Sequence, residues 1–148
     1  MSQKSKIGEI KKLFISSEIE QTRISQNDIS VDVNGIVNDK FYHKNKDRAI
    51  LLTSLHAYEL MAEKDITCEY GSLGENILTD FNPYSLDEGT NIYIGDAILQ
   101  ITIECTICSF LTKINNKVPK LLKKDRGVFA KVIQKGSLNI GDDITIQN

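Results

Sequence analysis

The 148-residue chain contains no Trp, two Pro, three Cys and three Arg, the last set against fifteen Lys. Three Cys, an odd number, exclude a disulfide framework, so each must be core filler, metal ligand or reactive thiol. With only Pro83, Pro119 and nine Gly, the sequence holds no Ser/Gly/Pro-rich linker or low-complexity tract, and a single domain over residues 1–148 is expected. No apolar run approaches the roughly 20 residues of a membrane span, and Met1–Lys12 lacks the apolar stretch and cleavage site of a secretory signal. The expectation is a cytoplasmic protein with no membrane partner. Twenty Asp and Glu against eighteen Lys and Arg give a net charge of −2, so nucleic acid is not expected as a partner and only local basic patches remain. Where Arg is this scarce, Arg23, Arg48 and Arg126 are candidates for placement by their planar forks.

Short β-branched runs fill much of the chain. Ile10–Ser16, Ser30–Val33, Ala49–Thr53, Asn91–Ile94, Ala97–Ile107, Gly127–Ile133 and Asp143–Ile146 all read as strands bounded by Gly, Asn or Asp. One helix stands out, Leu55–Lys64, with Ser54 as its cap, an apolar side of Leu55, Tyr58 and Ala62, and Leu60 and Met61 beside them. A weaker helical turn is expected over Lys117–Lys124. Gly89–Ile101 and Gly136–Ile146 both contain Ile-Gly-Asp-x-Ile after an upstream Gly, which predicts two similar strand–turn–strand corners. Many strands, one good helix and no βαβ alternation predict a mainly β barrel.

The run Leu99–Cys108 alternates with period two and places Cys105 on the apolar face and Cys108 on the polar one. A Cys105–Cys108 disulfide would require a turn at Thr106–Ile107, because residues three apart on a strand point to opposite faces. Cys105 reads as packed and Cys68 as incidental. Cys108 reads either as an ordinary strand-end thiol or as a working one. A zinc site would need two further ligands, for which the chain offers only Cys68, His43 and His56 at irregular spacing. The cations Lys117, Lys120, Lys123, Lys124 and Arg126 follow Cys108; they are either a solvated face or a source of positive charge that favours a thiolate.

Three further features suit the same site. Gly74-Glu75-Asn76 forms a loop whose amides suit an oxygen-rich ligand, or simply a turn. His43 is a proton carrier or an ordinary surface His. Arg48 opens an apolar strand, where it reaches either an anion or a carboxylate at Asp39 or Asp47.

Taken in order, these pieces resemble a MOSC domain, the module found at the C-terminus of molybdenum cofactor sulfurases and as small stand-alone proteins. The resemblance runs from about Gly35 to Ile146. It is carried by Gly74-Glu75-Asn76-Ile77, Ile94-Gly95-Asp96, Glu104-Cys105 with Cys108, and Arg126–Val132 leading to Gly136 and Gly141-Asp142. It implies a strongly bent, mixed β-barrel of the MOSC and pyruvate kinase beta-barrel-like kind, with one or two short helices. It also implies a molybdenum cofactor-associated function: a sulfur carrier that passes sulfur as a Cys persulfide to a metal–sulfur or molybdopterin acceptor. Cys108 matches the key cysteine of the family, and His43 its companion in a Gly-Asp-x-x-x-His segment. Arg48, Gly74, Glu75, Asn76 and Arg126 are the implied residues for binding molybdopterin, and no metal ligand is assigned. Asn38 replaces the usual Gly before Asp39, Ala49 a usual Gln, and Thr106 a His that often follows the Glu-Cys pair. Pyridoxal phosphate is not expected, because the chain has no room for a desulfurase domain. A cysteine desulfurase or a cofactor-biosynthesis protein is the implied partner. The alternative is a non-catalytic module that binds molybdopterin or a partner protein.

Overall fold

A computed structural model describes residues 3–17, 19, 23–105, 114–123 and 125–147. In chain order its elements are β1 (Lys4–Ile15), β2 (Ile24–Gln26), β3 (Asp28–Asp32), β4 (Gly35–Ile36), β5 (Ile50–Ser54), α1 (Leu55–Glu63), β6 (Ile77–Thr79), β7 (Asn91–Ile94), β8 (Ala97–Glu104), α2 (Val118–Leu121), β9 (Val128–Gln134), β10 (Gly136–Asn139) and β11 (Asp143–Gln147). The seven expected strands are present, with ends moved by up to six residues; Thr106 and Ile107, the expected end of the strand from Ala97, lie outside the described residues. β10 is the strand expected before the second Gly-Asp turn, and three more, β2, β4 and β6, have two or three residues each and escaped the pattern.

Closure depends on β1. Its first half pairs with β11 and its second half with β6, so the order β1-β11-β7-β8-β9-β5-β6 returns to β1 and closes a mixed barrel. The β5–β6 pairing is parallel, joined by the crossover through α1, and β2 extends the sheet beyond β1. A separate sheet, β10-β3-β4, covers one side of the barrel. The interior is aliphatic, with Ile10, Ile50, Leu52, Ile77, Ile92, Leu99 and Ile144 fully buried. A second core, with Tyr58, Met61, Leu73, Leu78, Val118 and Leu122, fills the space between the helices and the outer face of the barrel.

Several local expectations are corrected. Ser54 stands at the N-cap, yet its hydroxyl makes no capping bond and has no hydrogen-bond partner among the described residues. The buried stripe of α1 is Ala57, Tyr58 and Met61, while Ala62 is exposed. The two Ile-Gly-Asp segments are not equivalent corners. The first joins the paired strands β7 and β8, whereas β10 pairs with β3 and β11 with β1 and β7, so the second turn carries the chain between sheets. Asn38 adopts φ +73°, the left-handed conformation in which Gly is usual and Asn is tolerated. No helix among the described residues is long and apolar enough to cross a membrane.

Alternation fails within β8. Ile101 pairs with Ala130 and Glu104 with Val128, so β8 gains one residue on β9 in a bulge. Thr102, expected outside, is buried and donates its hydroxyl to the Asp47 carbonyl; Ile103, expected inside, is only half-buried. Past the bulge Cys105 is buried, yet it belongs to neither apolar core.

Candidate functional site

All three arginines of the chain line one cavity of about 320 Å³. Arg23 enters from the segment before β2, Arg48 from the turn before β5, and Arg126 from the turn before β9. Phe41, Lys44 and Asn45 line the cavity from the loop after β4, Gly74 and Asn76 from the loop before β6, Cys105 from just past the end of β8, and Phe129 from β9. No Asp or Glu is among the described lining residues, so four cations face the space without a lining carboxylate.

Burial grades the cavity. Arg126 is 2% exposed and Cys105 3%, whereas Arg48, Lys44 and Phe41 are exposed at the rim. Arg126 donates from Nη2 to the Leu73 carbonyl at 2.9 Å and from Nη1 to the Cys105 sulfur. The Thr53 hydroxyl donates to the Arg126 carbonyl at 2.8 Å, and the Cys105 amide to the Gly127 carbonyl at 2.9 Å. The barrel backbone thus fixes both members of the sulfur–guanidinium pair. Such a pairing favours the thiolate, the nucleophilic form of Cys. Cys68 is the contrast: burial, with the Glu75 charge adding to it, pushes that thiol up against a bond to Ser72, and it does not line this cavity.

The rim is aromatic and cationic. Arg48 lies 5.5 Å from the Phe129 ring centre, and Arg23 and Lys40 lie 6.0 and 5.1 Å from that of Phe41. No carboxylate pairs with Arg48 among the described residues. Asp39 instead accepts from the Ser16 amide at 2.6 Å and the Phe41 amide at 2.9 Å, which ties the Phe41 loop to the end of β1. Arg23 donates to the Ser16 hydroxyl and lies 4.0 Å from Asp39. Burial pulls the Arg23 pKa down, and the Arg126 charge adds to this, against Asp39 and Glu75.

Of the expected site residues, Arg48, Gly74, Asn76 and Arg126 come together here. The Asn76 amide is committed to the fold: its Oδ1 accepts from the Leu51 amide at 3.0 Å and its Nδ2 donates to the Phe14 carbonyl at 3.2 Å. His43 is exposed, edge-on to Tyr42, and is not among the lining residues. Lys117, Lys120 and Lys123 are exposed and do not line the cavity either, so the solvated-face reading holds for them. Cys108 and Lys124 lie outside the described residues. Arg23, Lys44, Phe41 and Phe129 were not singled out as pocket residues. The rarity of Arg was the available signal for the first, and nothing marked the others.

Glu75 does not line the cavity. Its carboxylate is fully buried and accepts from the Tyr58 hydroxyl at 2.6 Å and the Gly71 amide at 3.0 Å. Burial raises its pKa above the ordinary 4.5, against these hydrogen bonds and the Arg23 charge. The folded protein therefore keeps this proton at pH values where the unfolded chain has lost it. The resulting stabilisation is complete below the ordinary value and is lost as pH rises through the raised one. Melting curves between pH 7 and about pH 5 should show wild type gaining stability relative to Glu75→Gln as the pH falls. Parallel curves for the two proteins would refute this account of Glu75.

Among the described residues no group of three or more His, Cys, Asp or Glu is arranged to hold a metal ion. The MOSC domain model matches residues 39–145. The YuaD protein from Bacillus subtilis superposes with a TM-score of 0.82 at 18% identity, covering 100% of this chain and 99% of that one. YiiM from Geobacillus stearothermophilus gives 0.70 at 15% identity, with 99% and 75% covered, and YiiM from Escherichia coli 0.70 at 16%, with 93% and 69% covered. No curated protein matches the chain. With its barrel closed as described and the family model spanning most of its length, the chain belongs to the MOSC domain family, a family associated with the molybdenum cofactor.

Proposed function

We propose that the protein binds the anionic pterin of the molybdenum cofactor in the arginine-lined cavity and carries sulfur as a persulfide on the Cys105–Cys108 segment. The observation that carries this reading is the convergence of all three arginines on one cavity that also holds the Cys105 thiol, with Arg126 on its sulfur and no described lining carboxylate. The residues present fit the group. Planar guanidinium forks suit a phosphate, Phe41 and Phe129 offer faces to a flat ring, and the cavity falls at the lower end of the roughly 300–1,000 Å³ of small-molecule sites. Arg126 would hold charge at the buried end, and Arg23, Arg48 and Lys44 would do so nearer the rim. The cofactor would supply a dithiolene that binds molybdenum.

Sulfur loading needs only a thiolate and a donor. The thiolate attacks the outer sulfur of a persulfide on a cysteine desulfurase; the new S–S bond forms as the old one breaks, and the donor Cys leaves as thiolate. Cys108 matches the key thiol of the family, and Cys105 is the thiol in the cavity. Incubation with a desulfurase and cysteine, followed by persulfide labelling, tests the reading. Single Ser variants should show which thiol takes the sulfur, and Cys105→Ser/Cys108→Ser should abolish it. Uptake by the double variant equal to wild type would overturn the carrier function.

The deep burial of Cys105 favours a second reading, a binding module without sulfur transfer. That reading expects pterin affinity to survive in the double variant while wild type acquires no persulfide.

A further inference from the structure

We propose that Tyr58 is a positioning residue for the cavity thiol: acting through Leu73, its hydroxyl fixes the Arg126 guanidinium against the Cys105 sulfur. The inference rests on the reading of Cys105 as a reactive thiol and names a group outside the cavity that sets its reactivity.

The connection is an unbroken series of hydrogen bonds. The Tyr58 hydroxyl, on the buried face of α1, accepts the Leu73 amide at 3.3 Å and the Gly71 amide at 3.0 Å and donates to Glu75 Oε2 at 2.6 Å. A hydroxyl has one donor and two acceptor sites, so this one is saturated. Leu73 is then held at both ends, its amide by Tyr58 and its carbonyl by Arg126 Nη2 at 2.9 Å. The other arm of the same planar guanidinium reaches the Cys105 sulfur. Because the fork is rigid, a displacement of the Leu73 carbonyl moves the arm on sulfur. Packing alone does not require this hydroxyl, since Phe would fill the same space among Met61, Leu73 and Val118. Burial raises the Tyr58 pKa and the neighbouring Glu75 charge adds to it, so the hydroxyl keeps its proton and its donor role.

The test uses the full chain with Cys68→Ser and Cys108→Ser, which leaves Cys105 as the thiol that reacts. Methyl methanethiosulfonate is the probe: the thiolate attacks its sulfenyl sulfur and methanesulfinate leaves. The rate is followed by mass spectrometry from pH 6 to 9. Among the described residues, the charged and titratable groups about Cys105 are Arg126, Arg23, Arg48, Lys44, Tyr84 and Glu104. All are retained in every variant, so a change in the profile reports the relay. Tyr58→Phe is expected to move the midpoint of the rate profile upward by about half a unit, which is about a threefold loss of rate near neutrality. Glu75→Gln, which keeps an acceptor for Tyr58, is expected to follow the parent.

A Tyr58→Phe profile that superimposes on the parent, even with a lower melting temperature, would overturn the relay while leaving the thiol reading intact. So would a Glu75→Gln profile displaced to higher pH, because the carboxylate rather than the hydroxyl would then set the thiol, and this holds even where Tyr58→Phe does not fold. No labelling of the parent at any pH would instead remove the reactive thiol on which the relay depends.

Discussion

Gly127→Ala is expected to destabilise the protein by about 3–6 kcal/mol, a large share of the roughly 5–15 kcal/mol that holds a domain of this size together. Gly127 has φ +146°, a conformation that L side chains rarely adopt, and it sits against β5 at the start of β9. An added Cβ would lie 2.3 Å from the Leu52 carbonyl oxygen and 2.7 Å from the Thr53 hydroxyl. The first of these is backbone, inside the β5–β9 pairing where Leu52 faces Val128, so relief requires the barrel seam to open. Opening it pulls on the Thr53–Arg126 and Cys105–Gly127 hydrogen bonds, both of which position the cavity. Strain and overpacking each contribute about 1–3 kcal/mol, and lost hydrogen bonds supply the rest. Gly89 is the control. It has φ +90° but nothing within 4 Å of an added Cβ, so Gly89→Ala should cost only the conformational term, about 1–2 kcal/mol. Urea midpoints of the two variants decide the matter, and equal losses would show that the close approach at Gly127 is not what matters there.

That seam also marks where sequence reasoning stopped. The β-branched runs that became β5, β7, β8, β9 and β11 announced themselves because each has a buried face long enough to show a pattern. β6 has three residues, all buried, beside the Gly-Glu-Asn loop, and no periodicity survives at that length. Yet β6 joins β1 to β5 and completes the ring. The bulge in β8 is equally silent, because alternation assumes that a strand keeps step with its neighbour. The burial of Cys105 followed from alternation, but what it is buried against did not. The guanidinium on its sulfur comes from a turn 21 residues later, and the order in which β8 and β9 pair brings the two together. Glu75 shows the reverse case. Its loop position suggested a ligand contact, but the hydroxyl of Tyr58, 17 residues earlier on α1, captured its carboxylate. His43 likewise follows Tyr42 to the surface, because Asp39 anchors the loop through the Ser16 and Phe41 amides and leaves the remainder outside.

Arg126→Met is expected to weaken binding of a pterin phosphate by at least about thirtyfold with little change in the stability of the ligand-free protein. Truncating one member of a buried, hydrogen-bonded charge pair costs about 2–5 kcal/mol of binding, because the partner charge is left in a site that water does not replace. Arg126 is the most buried cation of the cavity, so its contribution is the least screened. Two opposing effects act on the free protein. Loss of the guanidinium takes the donor from the Cys105 sulfur and from the Leu73 carbonyl, which has it at 2.9 Å, at about 1–3 kcal/mol, while removing a buried charge returns several kcal/mol of desolvation. The balance should stay within about 2 kcal/mol of wild type, which thermal unfolding without ligand measures. Arg48 provides the comparison. It is exposed over Phe129, and Arg48→Ala should cost about 1 kcal/mol or less of affinity, expressed mainly as a lower association rate that salt also suppresses. Calorimetric titration of both variants at low and moderate salt separates the roles. If Arg48→Ala weakens binding as much as Arg126→Met, the anion sits at the rim and not against the thiol, and sulfur held on Cys105 would be out of its reach.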